Sequence, residues 1–241
     1  MKIGIIGRGN VGTHLYRALD GKVQCDLIDS RTLREVDGTH QIYLISVKDD
    51  AIRNVAENIG KVLPHFNGVV AHTSGSVGID VFVPMFQNYG SLYPLQTFTK
   101  DKVLEYDNIP VFIEGNNPET ERRLTELAAH LSHDIHIADS EKRKALHIAA
   151  VFACNFTNFL YGEASEILER VGFDFKILKP LVRETLEKLD GLSAAEAQTG
   201  PAVRGDFKVI EAHKKYLDYK PATRELYDLL SESIYRKSNN E

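Results

Sequence analysis

The chain opens on an apolar run, Lys2–Ile6, that delivers straight into Gly7-Arg8-Gly9-Asn10-Val11-Gly12, followed by the apolar spacing of a helix over Val11–Leu19. Few architectures accept a strand that turns through three glycines into a helix. Gly7 permits the tight turn, Gly9 lets the backbone approach a ligand, and Gly12 lets helix and strand pack closely. The helix N-terminus then presents unpaired N–H groups and a partial positive charge, which suits a phosphate. Glycine turns are common, so the motif alone is weak. Its weight comes from context: a strand before it, a helix after it, and a second strand ending at the right distance. Gly7, Arg8, Gly9, Asn10, Val11 and Gly12 are therefore candidates for holding a dinucleotide pyrophosphate.

The rest of the first half repeats the strand–helix alternation. Further strands are expected at Val23–Ile28, Ile42–Val47, Val69–His72, Gly90–Tyr93, Pro110–Ile113 and Asp134–Ile137, with helices at Asp50–Ile59 and Pro118–Ser132. Such alternation builds a largely parallel sheet with right-handed crossovers. After Ile137 the strand pattern stops. Ser140 is expected to cap a helical run reaching about Val171, with more helices at about 176–192, 207–216 and 223–237. The expectation is an α/β fold: a Rossmann-like, mostly parallel sheet with helices on both faces in residues 1–139, then an all-helical domain in residues 140–241. With 241 residues the chain has room for both.

The second strand ends Asp29-Ser30-Arg31-Thr32, which bears on the choice between NAD and NADP. Asp29 can hold the ribose hydroxyls of NAD, whereas Ser30 and Arg31 can hold a 2′-phosphate that a carboxylate repels. NADP is favoured, and a solvated arginine is the plainer alternative. Ser46 and Val47 stand at the end of the third strand, at the carboxyl edge where open sheets bind ligands. One of Asp49 and Asp50 is expected to cap the next helix. Thr73 and Ser74 leave the fourth strand in the same geometry, although turn chemistry alone also explains Thr-Ser-Gly-Ser. Tyr93, where the fifth strand breaks at a proline, is either a hydrogen-bond donor or an aromatic packed under the loop.

The stretch Ala145–Tyr161 is apolar nearly all round, so its helix is expected to be buried in a core or a subunit interface. His147 and Asn155 lie eight residues apart on it, roughly 80° around the axis, and can face one cleft. Reduction of a carbonyl or imine needs a proton, and histidine titrates in a useful range. A histidine satisfied by a backbone carbonyl is the alternative. Thr199 and Arg204 sit in a loop between helices. Arg204 can clamp a carboxylate or phosphate, and Asp206 can orient it or cap the next helix.

A net charge of −5 argues against nucleic acid, whose phosphates call for a basic surface. Cys25 and Cys154 have apolar flanks and read as buried, reduced thiols rather than a disulfide. No apolar run is expected to reach the roughly 18 residues of a membrane helix, so the expected setting is cytoplasmic, without membrane or metal.

Taken together the motifs resemble a family of predicted NADP oxidoreductases with a Rossmann-like domain and a helical C-terminal domain of unknown function. The resemblance runs through Gly7–Gly12, Ser30-Arg31-Thr32, Asp49-Asp50-Ala51-Ile52, His72-Thr73-Ser74-Gly75 and Pro94-Leu95-Gln96-Thr97-Phe98. It continues through Glu141-Lys142-Arg143, His147, Asn155 and Thr199-Gly200-Pro201 with Arg204-Gly205-Asp206. Wider kin are pyrroline-5-carboxylate reductases, ketopantoate reductases, 6-phosphogluconate dehydrogenases and deazaflavin-dependent NADP reductases. The resemblance implies a homodimer through the C-terminal helices and a cleft between domains where His147, Asn155, Thr199 and Arg204 meet a small-molecule substrate. It implies hydride transfer to a carbonyl or imine; a non-catalytic NADP(H)-binding sensor or scaffold is the alternative. Three departures stand out: Lys48 replaces a proline, Tyr93 replaces a usual histidine, and only about 13 residues join the second and third strands. In related hydroxyacid dehydrogenases a lysine precedes the helix asparagine by four residues; that place is Val151 here.

Overall fold

The computed structural model describes residues 1–99, 102 and 104–239. Its first half contains β1 (Lys2–Ile6), α1 (Asn10–Leu19), β2 (Gln24–Ile28), β3 (Ile42–Ile45), α2 (Ile52–Val62), β4 (Val69–His72), β5 (Tyr89–Pro94), β6 (Val111–Gly115), α3 (Pro118–Ala128) and β7 (Ile135–Ile137). The strands form one sheet in the order β2-β1-β3-β4-β5-β6-β7. All neighbouring pairs are parallel except β5 with β6. The expected α/β class, mostly parallel with helices on both faces, is what forms.

Strand periodicity explains the two cores. Side chains alternate between faces, so Ile3, Ile5, Ile42 and Leu44 pack with α1 and α3 residues Leu15, Leu19, Leu124 and Leu127. Ile6, Tyr43 and Ile45 face the other way, onto Ile52, Val55 and Ile59 of α2. The short link from β2 to β3 holds no helix; Leu33 and Val36 cover that part of the second face instead. Leu33 takes a left-handed conformation to do so, at φ 49°.

Several sequence expectations are corrected at helix ends. The Asp49-Asp50 pair does not cap; Lys48 occupies the N-cap of a short 3-10 turn, Asp49–Ala51, with no side-chain cap bond. Asn117 does cap α3, accepting from Thr120 N at 2.9 Å, with Pro118 in the first turn. The helix α4 (Ser140–Ala150) is capped by Asp139, which accepts from Lys142 N at 2.8 Å. Ser140 is thereby released to donate to the Glu114 carboxylate at 2.8 Å.

The chain divides into two compact units, Met1–Phe156 and Thr157–Glu241, and the first takes in α4 beyond the change of period at Asp139. A π-helical segment, Val151–Phe156, follows α4 and leads into α5 (Thr157–Glu169). Contrary to a burial in the chain's own core, no residue from Val151 to Glu169 is buried. Phe152, Phe156 and Phe159 are 65%, 51% and 57% exposed. The whole run Ser140–Glu169 is long and apolar enough, by length and composition alone, to cross a membrane. That departs from the sequence expectation because His147, Asn155 and Asn158 interrupt the run without placing a full charge in it. Cys25 is partly buried as expected, whereas Cys154 is exposed; both are free thiols.

The second unit is helical: α5, α6 (Lys179–Glu187), α7 (Ala194–Ala197), α8 (Phe207–Tyr216) and α9 (Pro221–Ser238), with short 3-10 turns in every connection except that from α7 to α8. Ser193 and Glu196 form a capping box on α7. Lys220, just before α9, reaches Glu163 and Glu166 of α5 at 2.7 and 2.6 Å.

Candidate functional site

In an open parallel sheet the ligand crevice opens where neighbouring connections leave in opposite directions. Here β2 lies on one side of β1 and β3 on the other. A cavity of about 940 Å³ sits at the carboxyl ends of these strands, lined by the turns after β1, β2, β3 and β4, the end of β5, and His147 from α4.

The floor is built by glycines. Gly7 has φ 121°, and a Cβ on it would stand 2.1 Å from the Ser46 carbonyl oxygen, so β1 and β3 meet here with no room for a side chain. A Cβ on Gly12 would lie 2.2 Å from the Gly7 oxygen, which locks α1 down onto the turn. Nothing lies within 4 Å of where a Gly9 Cβ would stand. Gly9 is the N-cap of α1 and supplies no side chain to its first N–H groups, which are left for a ligand. Asn10 Nδ2 donates to Phe98 O at 3.1 Å and His14 Nε2 lies 2.8 Å from Thr99 O, tying the loop after β5 across the head of α1.

At the β2 end of the cavity stand Asp29, Ser30 and Arg31. Asp29 Oδ1 accepts from Arg31 N at 2.8 Å, and the Asp29 carbonyl accepts from Leu33 N at 3.0 Å. Arg8 Nη1 lies 4.0 Å from Asp29 Oδ2. The carboxylate therefore organises its own turn between two guanidinium-bearing residues. The side chain of Arg31 has no carboxylate partner among the described residues.

At the other end, Ser46, Val47, Thr73, Ser74, Tyr93 and His147 line the wall. Thr73 Oγ1 donates to Ser46 Oγ at 3.3 Å. The Ser74 hydroxyl accepts from Ser76 N and Val77 N, each at 3.1 Å, so its oxygen shapes the loop. Tyr93 Oη lies 3.0 Å from His147 Nδ1. Burial pushes the Tyr93 phenol above its ordinary pKa, partly opposed by the Arg143 charge.

Behind that wall lies a buried ion pair. Arg143 is 1% exposed and pairs with Glu114 of β6. Its Nε donates to Ser74 O at 3.1 Å and its Nη2 to Val77 O, so one side chain fixes both ends of the loop carrying Gly75. His72, fully buried, accepts from Ser74 N through Nδ1 at 3.2 Å and is pushed down to about 3 by desolvation, with Arg143 adding to the effect.

The structure thus gathers Arg8, Asn10, Val11, Ser30, Arg31, Ser46, Val47, Thr73, Ser74 and His147 around one cavity, with Gly7 and Gly9. Gly12 lies beneath it rather than on its wall. Asn155 falls in the π-helical segment, exposed and off this wall, and the segment's wider turn removes the simple 80° count. Thr199 and Arg204 belong to the second unit. Thr199 is exposed, and Arg204 pairs with Asp206 at 2.8 Å. Asp206 serves that pair and gives α8 no side-chain cap bond. Lys48, Asp49, Gln96 and Phe98 also line the cavity, and the roles of Arg143 and Glu114 were not legible beforehand. Arg143 stood in a recognised triplet, but nothing local marks a partner 29 positions away.

A family model described as a domain of unknown function, DUF2520, matches residues 109–234. A solved Bacteroides fragilis protein, provisionally named an NADP oxidoreductase, is 37% identical, with TM-score 0.88 and 98% of both chains covered. The chain belongs to the DUF2520 family. More distant structures share the fold of this DUF2520 protein. One is a Plasmodium falciparum pyrroline carboxylate reductase with NADP bound, at 13% identity, TM-score 0.62 and 98% of both chains. Another is an Aspergillus terreus reductive aminase in complex with NADPH and ethyl levulinate, at 12% identity and TM-score 0.69, covering 99% of this chain and 94% of that one. No curated protein sequence matches it.

Proposed function

We propose that this DUF2520 protein is an NADP-dependent oxidoreductase that passes hydride to a small carbonyl or imine. The observation that carries the reading is one cavity with a glycine-and-amide cradle, a guanidinium end at Arg8 and Arg31, and a Tyr93–His147 pair opposite. The open space at Gly9 accepts a pyrophosphate against the first turn of α1. Arg31 takes the 2′-phosphate, with Ser30 beside it, because Asp29 is held by its own turn. The 37%-identical relative carries the NADP oxidoreductase name, and the more distant reductase and aminase structures contain NADP or NADPH.

When bound, the cofactor supplies the hydride. The chain's part is to hold it against the β1 and β3 ends, to shield the reacting centre, and to supply the proton that completes reduction. That proton is assigned to His147, which lines the cavity. Asn155, Thr199 and Arg204 are assigned to the substrate, Arg204 to a carboxylate on it. The exposed apolar residues of the Ser140–Glu169 run are assigned to a second copy of the chain, giving a homodimer that sedimentation velocity tests.

The reading is tested by calorimetry with NADPH and NADH, followed by a panel of cyclic imines and 2-oxo acids. Micromolar NADPH binding with turnover, abolished in His147→Ala while cofactor binding survives, supports it. Absence of NADP(H) binding to folded protein overturns it, and binding without turnover that is also unaltered in His147→Ala points to a sensor instead.

A further inference from the structure

His147 and Tyr93 come from different elements and meet at a single hydrogen bond, Oη to Nδ1 at 3.0 Å, with the rings edge to face and 6.1 Å apart. Gly75 lies against that contact. A Cβ there would stand 2.8 Å from His147 Cγ and Nδ1 and 2.8 Å from Tyr93 Cζ, so the loop backbone presses on both partners at once. Arg143 holds the same loop from behind through Ser74 O and Val77 O. The pair is therefore pressed by one loop that Arg143 holds from behind, rather than being a chance contact.

A tyrosine hydroxyl next to an imidazole nitrogen has two arrangements: it donates to a bare Nδ1, or it accepts from Nδ1–H. Tyr93 is buried, and among the described residues Nδ1 is the sole protein acceptor for its proton. Were the oxygen to accept, that proton would have to turn into the cavity and give up the protein acceptor that the Gly75 contact holds in place.

We propose that Tyr93 is a positioning residue that fixes His147 in the Nε2–H tautomer, so that Nε2 is the atom that hands a proton to substrate. As the hydride-accepting carbon is reduced, the Nε2–H bond breaks and a bond from that proton to the substrate oxygen or nitrogen forms. The Tyr93 O–H proton passes to Nδ1 as the Nε2 proton leaves, giving a neutral imidazole and a transient phenolate. Solvent then protonates Nε2 and Nδ1 returns its proton to the phenolate, which restores the starting tautomer. Burial raises the phenol's pKa, so the phenolate is short-lived, and the Arg143 charge partly offsets that cost. The inference takes its meaning from the reductase reading, but the tautomer exists without cofactor or substrate.

The experiment is long-range proton–nitrogen NMR on the full chain labelled with nitrogen-15 histidine, at pH 8, with His147 assigned by its loss in His147→Gln. The expected spectrum has a protonated Nε2 and an unprotonated Nδ1 shifted as a hydrogen-bond acceptor. Tyr93→Phe is expected to move the Nδ1 resonance to that of an unbonded nitrogen, and Gly75→Ala, which keeps both groups but wedges them apart, to move it the same way. A protonated Nδ1 in the wild type, or an Nδ1 resonance unmoved in Tyr93→Phe, overturns the proposal. On any panel substrate that turns over, Tyr93→Phe lowers kcat about tenfold or more with the KM for NADPH unchanged. A Tyr93-dependent tautomer in a protein that binds no NADPH leaves the tautomer assignment standing and removes the proton delivery together with the reductase reading.

Discussion

Arg143 Nε donates to the carbonyl oxygen of Ser74 at 3.1 Å, across 69 residues of chain. This residue in the first turn of α4 thus holds the loop that follows β4, and the loop forms part of one wall of the cavity.

Breaking this arrangement is predicted to be expensive. Arg143→Met leaves the Glu114 carboxylate without its partner in a largely buried setting, and removing one member of such a pair typically costs about 3–5 kcal/mol. Urea unfolding measures it. Arg143→Lys keeps the charge but cannot serve Glu114, Ser74 and Val77 together, so it falls between.

Two glycines three residues apart, Gly9 and Gly12, are predicted to fail differently. Gly9→Ala has open space around its Cβ and loses only a slightly better N-cap residue, so the unfolding free energy stays within about 1 kcal/mol of wild type while NADPH affinity falls at least tenfold. Gly12→Ala drives a Cβ to 2.2 Å from backbone and lowers stability itself. Equal stability of the two variants contradicts the assigned roles.

Arg31→Ala tests the 2′-phosphate. A charge-assisted hydrogen bond is worth about 1.5–3 kcal/mol, so NADPH affinity is expected to drop roughly tenfold to a hundredfold, with NADH affinity unchanged. Loss of both cofactors alike by calorimetry would assign Arg31 to the turn instead.

His72 predicts an acid-side loss of stability. Its folded pKa, about 3, lies below the ordinary histidine value of 6.5. Between those values the unfolded chain binds the proton and the folded one does not. Stability is then complete above about pH 6.5 and declines on acidification, by at most about 1.4 kcal/mol per pH unit from this group. Unfolding from pH 7.5 to 5 shows the slope in wild type, and His72→Gln reduces it.

The two thiols separate by exposure. Burial raises the Cys25 thiol to about 12, with Asp26 and Asp20 adding to it, whereas Cys154 is exposed. Iodoacetamide at pH 8 is expected to leave Cys25 unlabelled in the native protein and to label it after unfolding in urea, read by mass spectrometry of peptides.

The sequence by itself determined what is local. A strand, three glycines and an uncapped helix start occupy adjacent positions, so their chemistry needs no distant partner, and alternating apolar residues in Lys2–Ile6 and Ile42–Ile45 already imply two covered faces. Helix ends were less legible, since Asp139 and Ser140 compete for one cap and the choice fell to Glu114, which draws Ser140 away. Tertiary structure alone decided that Tyr93 meets His147, that Arg143 braces the Ser74 loop, and that the apolar run after Ala150 stays uncovered in the single chain. Those relations join residues dozens of positions apart through the packing of a sheet, and no spacing along the chain encodes the distance between two elements once they fold.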